Sequence, residues 1–549
     1  MKQLKLHVLN SFYKRVLKNR YISFMKSLSE SRDYQRNYLN TLLRMNSETK
    51  YGRDHHFSGI NTITEYKNNV PLITYDDITS YIDMMKNGRK NILFHGPPIM
   101  FEKTSGSTAA TKYIPFNRPL LNEIHNATSA WIYNVYDQFT NLSKTTAYWS
   151  ISPKLGAQEY TQSGIKVGFA DDSEYFSPIE RIFLKNIFAV DPKISNLENT
   201  AYREESTISL IRDENLGLIS VWNPTLFILI LDFIENYKEK LLHELKTRST
   251  RITRVRLKHI ESIFTGDKNI DFQALWPRLQ FISCWTDGIS SLFHRSLQKY
   301  FPDIYMQGKG LLMTEGVITI PIIDMAAPVL CINSHFYEFI EHHDEQANDN
   351  RPNQSTVLPH ELEIGKEYIP VITTGGGLYR YITGDRVSVK GFHNDVPLLQ
   401  FMGRCNNIVD LCGEKLNESF IEKIIVGLNK KYDINPEFSM LAPTLQSKPH
   451  YIYFVEARNF PLNLIDLADE FENLLCENHH YNLCRKLGQL APVEIIRIQK
   501  GHTTYVKTMT DIKHQKYGNI KNKILDANLF WKEHFIAINN HSAQINCES

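Results

Sequence analysis

The apolar positions change their spacing several times along the chain, and each change marks a new element. Over the first hundred residues they recur at helical intervals, as with Leu39, Leu42 and Leu43 in "YLNTLLRMN", which predicts amphipathic helices. Near residue 100 the pattern turns extended. "PIMFEK" reads as a short strand, the hydroxyl-rich stretch after it as a turn, and "KYIPF" as a second extended piece. Asn117-Arg118-Pro119 then opens a helix. The middle of the chain alternates strands with helices, which implies α/β layering, and "WNPTLFILILDFIENYKEKLLHEL" reads as one long buried helix. A boundary is expected in "FMGRCNNIVDLCGEKLNESF", dividing the chain into residues 1–402 and 403–549. Beyond it the pattern is that of a small α+β unit. Asn417 is placed to cap a helix whose apolar face is Phe420, Ile421, Ile424, Ile425 and Leu428. Strand-like "HYIYFVEA", the helix "LIDLADEFENLLCENHH" and strand-like "VEIIRIQK" follow.

Composition adds limits rather than a function. A chain of 549 residues with 42% hydrophobic and 22% charged residues has an ordinary globular balance and length for two or more domains. The formal net charge of +2 gives no reason to expect a nucleic-acid or membrane partner. The apolar run Thr225–Ile234 is too short to span a bilayer. The N-terminus lacks both an unbroken apolar core and a small-residue cleavage site, so it is not read as a signal peptide. Seven cysteines, without a CxxC, fit free thiols in a reducing compartment, and a cytoplasmic location is expected.

Four stretches carry chemistry. In "TSGSTAATK", Gly106 and Lys112 have Walker A spacing, but Thr111 stands where that loop needs glycine and Tyr113 where it needs Ser or Thr. Hydroxyls and backbone N–H groups ending in a lysine suit phosphate oxygens; a Ser/Thr-rich surface turn fits this stretch alone equally well. In "GKGLLMTEGVITIP", Thr314 and Glu315 fall at the end of a buried element. A carboxylate there suits Mg²⁺, which usually needs only one or two protein carboxylates, although the stretch taken alone reads first as a turn with a solvated glutamate. In "TTGGGLYRYITGDRVSV", Asp385 after a glycine is either a ribose ligand or a turn former. The lysine-rich "KHQKYGNIKNKIL" reads by itself as a solvated charge cluster. The HH-x3-C spacing of His479, His480 and Cys484 reads as helix surface without a metal.

The order of these stretches says more than any one of them. Together with "NSETKYGRDHHFSGI", "VPLITYDDITSYI", "CWTDG", "GLYRYITGD", "FMGRCNNIVDLCGEKL" and "CRKLGQL", the chain resembles, over almost its whole length, the auxin-responsive acyl acid–amido synthetases, the Gretchen Hagen family of plants and its bacterial relatives. That family belongs to the adenylate-forming superfamily. The resemblance implies an α/β adenylate-forming fold, with a large N-terminal domain holding the ATP and acyl sites and a small mobile C-terminal α+β domain. It implies an ATP-dependent ligase, with ATP and Mg²⁺ as cofactors, that adenylates a small carboxylic acid and then passes the acyl group to an amino acid or other amine; the alternatives are transfer to a thiol of coenzyme A or a carrier protein, or a catalytically weakened nucleotide-binding relative. Thr104, Ser105, Gly106, Ser107, Thr108 and Lys112 would line the ATP phosphates. Thr314 would face the α-phosphate, Glu315 would hold Mg²⁺, and Asp385 would bind the ribose hydroxyls. Arg404 would sit at the hinge and Lys415 near the phosphates. Lys521, with Lys516 in reserve, would meet the reacting carboxylate. Domain rotation would then serve both half-reactions. The chain departs from the family in Ala109 and Ala110 where glycines are usual, in Ile382 where arginine is usual, and in Asn519 where an acid is expected. Trp285, just ahead of the Thr-Glu motif, is read either as an acyl-pocket wall or as core packing.

Overall fold

In a computed structural model of the protein the described residues are 2–103, 112–149, 158–168, 184–197, 199–222, 224–248, 252–266, 270–287, 290–342, 355–404, 408–409, 411, 414, 416–446, 448–459, 464–486, 490–513 and 520–536. They form two compact units. The first comprises Met1–Trp222, Ile230–Trp285 and Tyr300–Met402; the second comprises Asn223–Leu229, Thr286–Lys299 and Gly403–Ser549.

In the first unit the helical spacing of the N-terminal residues yields Lys2–Ser29, Ser31–Asn46 and shorter helices after them. Leu39, Leu42 and Leu43 are turned into the main core. Lys2–Ser29 packs along the helix Arg118–Gln138, where Tyr21 stacks on Tyr133 at 4.6 Å and Lys14 pairs with Asp137 at 2.7 Å. Asn117 caps that second helix by accepting the Leu120 N–H at 3.0 Å, with proline in its first turn.

A small sheet pairs Met100–Lys103 with Tyr113–Phe116, and two others follow it in the chain. The strands Thr146–Trp149, Leu216–Ser220, Phe281–Ser283 and Tyr305–Gln307 lie side by side in chain order, all parallel. Parallel neighbours require crossovers, and helices such as Asn199–Arg212, Arg254–Phe264 and Ser290–Tyr300 occupy the intervening sequence. Leu216–Ser220 is buried at every position, as expected of a strand covered on both faces. A larger antiparallel sheet runs Thr319–Ile320, Val329–Leu330, Val396–Arg404, Asp385–His393, Glu367–Thr373, Phe336–Glu341, with Tyr381–Ile382 beside Glu367–Thr373.

In the second unit Asn417 accepts the Phe420 N–H at 2.8 Å and caps Glu418–Lys431, which buries Ile421, Ile424, Ile425 and Leu428. The strands Pro436–Thr444, His450–Ala457 and Glu494–Arg497 form one sheet. Two expectations need correction here and one in the first half of the chain. The helix expected to run on to His480 stops at Leu475, because Asn478 accepts the Tyr481 N–H at 3.0 Å and starts a new helix, His479–Lys486. Cys484 in that helix is buried in the core rather than on the surface. "WNPTLFILILDFIENYKEKLLHEL" forms two helices, Pro224–Asn236 and Lys238–Arg248, which meet at Tyr237. In the second of them Leu241 and Leu245 are buried. No helix among the described residues is long and apolar enough to cross a membrane.

Candidate active site

The Thr-Glu motif occupies a tight hairpin. Leu312–Met313 pairs antiparallel with Gly316–Val317, so Thr314 and Glu315 form the two-residue turn between them. Thr314 is half-buried and Glu315 is buried. The glycine after them is required sterically: a Cβ on Gly316 would fall 2.6 Å from His335 Nε2. That same nitrogen accepts the Val317 N–H at 2.9 Å, which leaves the ring proton on Nδ1. Nδ1 lies 3.0 Å from Glu123 Oε2.

Glu123, on the helix Arg118–Gln138, also serves the triple-glycine turn. Its carboxylate accepts the Gly375 N–H on both oxygens at 3.1 Å and the Tyr38 hydroxyl at 2.7 Å. A Cβ on Gly375 would fall 2.3 Å from Glu123 Oε1, so only glycine lets the backbone approach this closely. Asn117 Nδ2 donates to the Gly375 carbonyl at 2.6 Å. One buried carboxylate therefore bonds the glycine turn directly and lies beside the imidazole that accepts from the Thr-Glu hairpin. Burial, with Glu123 next in weight, pushes the Tyr38 hydroxyl well above its ordinary pKa and keeps it a donor.

Downstream of the glycines, Arg380 takes up a left-handed conformation with φ +51° and is buried. All five of its N–H donors are used. Nε and Nη2 grip Glu338 at 3.0 Å each, Nη1 reaches the Lys67 and Val70 carbonyls at 2.7 and 2.8 Å, and Nη2 meets Thr356 Oγ1 at 3.2 Å. Ile382 packs with Leu72, Ile340 and Val371, so the position where arginine is usual in the family is here part of an apolar cluster. Gly384 at φ +73° then turns the chain into the strand Asp385–His393. Asp385 is buried at its first position, and its N–H bonds Thr383 Oγ1 at 3.3 Å.

The remaining expected residues divide into those the structure describes and those it does not. Lys112 is half-buried, with its ammonium 5.5 Å from the centre of the Tyr75 ring. Arg404 ends the strand Val396–Arg404. Lys521 is exposed between buried Ile520 and Asn522, and its carbonyl accepts the Tyr505 hydroxyl at 3.0 Å. Thr104, Ser105, Gly106, Ser107, Thr108, Ala109, Ala110, Lys415, Lys516 and Asn519 lie outside the described residues. Glu123, His335, Arg380 and Glu338 were not anticipated. The "GLYRY" and "TEG" segments held Arg380 and the neighbour of His335 in plain view, but the partners are distant in the chain and no local pattern marks them.

Sequence comparison places this architecture. Residues 20–306 match the GH3 family N-terminal domain, 328–404 its central domain and 430–525 its C-terminal domain. The chain belongs to the GH3 family. Among its relatives in Arabidopsis thaliana, it is 24% identical to the indole-3-acetic acid-amido synthetase GH3.2 over 79% of this chain and 86% of that one. It is 22% identical to the 4-substituted benzoates–glutamate ligase GH3.12 over 86% and 89%. The solved structure of the acyl acid amido synthetase AtGH3.15 in complex with 2,4-DB superposes with a TM-score of 0.80 at 20% identity, covering 94% of this chain and 95% of that one.

Proposed function

We propose that the protein is an ATP-dependent acyl acid–amido synthetase that joins a small carboxylic acid to an amino acid or other amine through an acyl-adenylate. The observation that carries this reading is that the GH3 domains match in order from residue 20 to residue 525. The names of the relatives make small aromatic acids the first to test, and a cytoplasmic location accords with the free-thiol composition.

In the first half-reaction a carboxylate oxygen of the acid attacks the α-phosphorus of ATP, and the bond to the pyrophosphate oxygen breaks. In the second, the amine nitrogen attacks the acyl carbon, AMP leaves with the bonding pair and the amine loses a proton. Bringing a carboxylate to a polyphosphate joins two anions, so the site must supply positive charge where water is excluded. We assign Lys521 to the reacting carboxylate and α-phosphate, Thr314 to an α-phosphate oxygen, and Lys112 with Thr104, Ser105, Gly106, Ser107 and Thr108 to the remaining phosphates. Asp385 is assigned to the ribose hydroxyls, Arg404 to the hinge, and Lys415 to the phosphates. Glu315 suits Mg²⁺ because one buried carboxylate at a hairpin turn, completed by phosphate oxygens and water, is a sufficient donor set for that ion. When bound, the ion would neutralise phosphate charge. Among the described residues no cluster of three or more acidic, histidine or cysteine side chains offers an all-protein site.

The test is release of AMP and pyrophosphate from ATP in the presence of a panel of acids, with amino acids or coenzyme A added separately. Acid-dependent AMP coupled to amide is the expected result, and thioester without amide would overturn the reading. Glu315→Gln and Lys521→Ala should each lower adenylation by about 100-fold or more, with ATP binding retained in Lys521→Ala.

A further inference from the structure

The four parallel strands end at one edge, and the residues just past those ends converge on a single buried amine. Trp149 closes the first strand, Ser220 closes the second with Trp222 two residues on, and Cys284 and Trp285 follow the third. Lys309 comes two residues after the fourth. The carboxyl edge of a parallel sheet is where ligands bind in open α/β folds. Lys309 is 5% exposed. Its ammonium lies 4.9 Å from the Trp131 ring centre, 5.1 Å from that of Trp222 and 5.9 Å from that of Trp149. Trp149, Trp222 and Trp285 are half-buried, and Trp222 and Trp285 lie 5.7 Å apart.

Among the described residues the hydrogen bonding of this amine is incomplete. Of three N–H donors, one reaches Ser220 Oγ at 2.7 Å, and no carboxylate among the described residues pairs with the ammonium. Gln307 does not serve it either, since its Oε1 takes the Trp131 indole N–H at 2.7 Å. Among the described residues the one titratable neighbour that acts on it is the Cys284 thiol, which burial pushes up to about 12, so it is neutral and provides no counter-charge. Burial in turn lowers the Lys309 amine to about 7. A cation buried at such a cost, with donors unused and flat aromatic walls around it, is arranged to receive an anion.

We propose that Lys309 and its tryptophans form a subsite for the non-reacting carboxylate of a substrate, held against indole faces. This inference rests on the amido synthetase reading, in which one carboxylate is consumed at the phosphate. Lys309 stands five residues before Thr314, a stretch of chain that spans at most about 18 Å. A second carboxylate has two sources: a dicarboxylic acid substrate, or the amino acid acceptor, whose own carboxylate survives in the product. In either case Lys309 determines specificity rather than taking part in bond making.

The test compares wild type, Lys309→Met and Lys309→Arg by tryptophan fluorescence without nucleotide, in two arms. One arm sets terephthalate against benzoate. The other sets a panel of amino acids against their α-amides. Wild type should favour the carboxylate-bearing member at least about tenfold in one arm, which identifies the source. Lys309→Met should lose that preference and Lys309→Arg keep part of it. If neither arm discriminates, or if Lys309→Met discriminates as wild type does, the subsite is overturned. Should Lys309→Met fail to fold, the wild type decides alone. Its preference must fall as pH rises above 7, where Lys309 loses its charge and Cys284 is still protonated, and a flat profile overturns the proposal. AMP and amide formation are followed in parallel. Amide synthesis without discrimination sinks the subsite and leaves the enzyme reading intact; discrimination without AMP for any acid does the reverse.

Discussion

Arg380 and Lys309 are both buried cations of the first unit, and they are built to opposite ends. Arg380 has every donor satisfied, two of them by the carboxylate of Glu338, which is itself fully buried. Among the described residues Lys309 has one hydrogen bond and three indole rings. A buried charge is tolerable when paired and hydrogen-bonded, so Arg380 needs nothing more and its effect is to fix the chain that leads to Asp385. Lys309 lacks such closure. Burial alone therefore does not separate a structural cation from a functional one, whereas the count of unused donors does.

This contrast can be broken by substitution. Arg380→Met strands the Glu338 carboxylate and should cost about 3–5 kcal/mol, read as a large fall in the urea midpoint. Replacing Glu338 by methionine as well should recover most of the loss, and failure to recover would mean that the arginine acts through more than its pair. Gly316→Ala forces a Cβ against His335 Nε2 and should cost about 1–3 kcal/mol, with a lower kcat for AMP formation because the Thr-Glu turn is displaced. Lys309→Met removes a charge with few bonds, so stability at pH 6 should change by less than about 1 kcal/mol or rise. The last effect is a slope with pH. Because the Lys309 amine is lowered to about 7 in the folded chain and has a pKa of about 10.4 when unfolded, the unfolded chain holds the extra proton between those values. Its contribution to wild-type stability should therefore increase from pH 7 towards pH 10. Lys309→Met should lack this contribution in denaturation curves taken at pH 6, 8 and 10.

What could be read from the sequence was what is decided locally. The Asn417 cap and its apolar face, the strand His450–Ala457 and the turn position of Thr314 and Glu315 each depend on a few neighbouring residues. Errors arose where a neighbour competes, as when Asn478 caps a new helix inside an apolar pattern that runs on. The glycines of "TEG" and "GGG" were visible as turns, but their reason was not. Glu123 lies 252 residues from Gly375, and nothing in its own helix distinguishes it from a solvated acid. Lys309 stood inside a recognised motif and still went unremarked, because three rings from distant segments have to assemble before an ordinary lysine becomes an unusual one.

The Glu123 carboxylate has a further consequence, for tolerance. Two turns that were referenced to separate supports would accumulate the positional error of each support, and their separation would be the least certain distance in the site. Here the glycine turn is bonded to Glu123, and the Thr-Glu hairpin is linked to it through a single imidazole. Both turns thus take their position from the same stretch of the helix Arg118–Gln138, one by direct bonds and the other across one imidazole, so fewer independent supports set the interval between them.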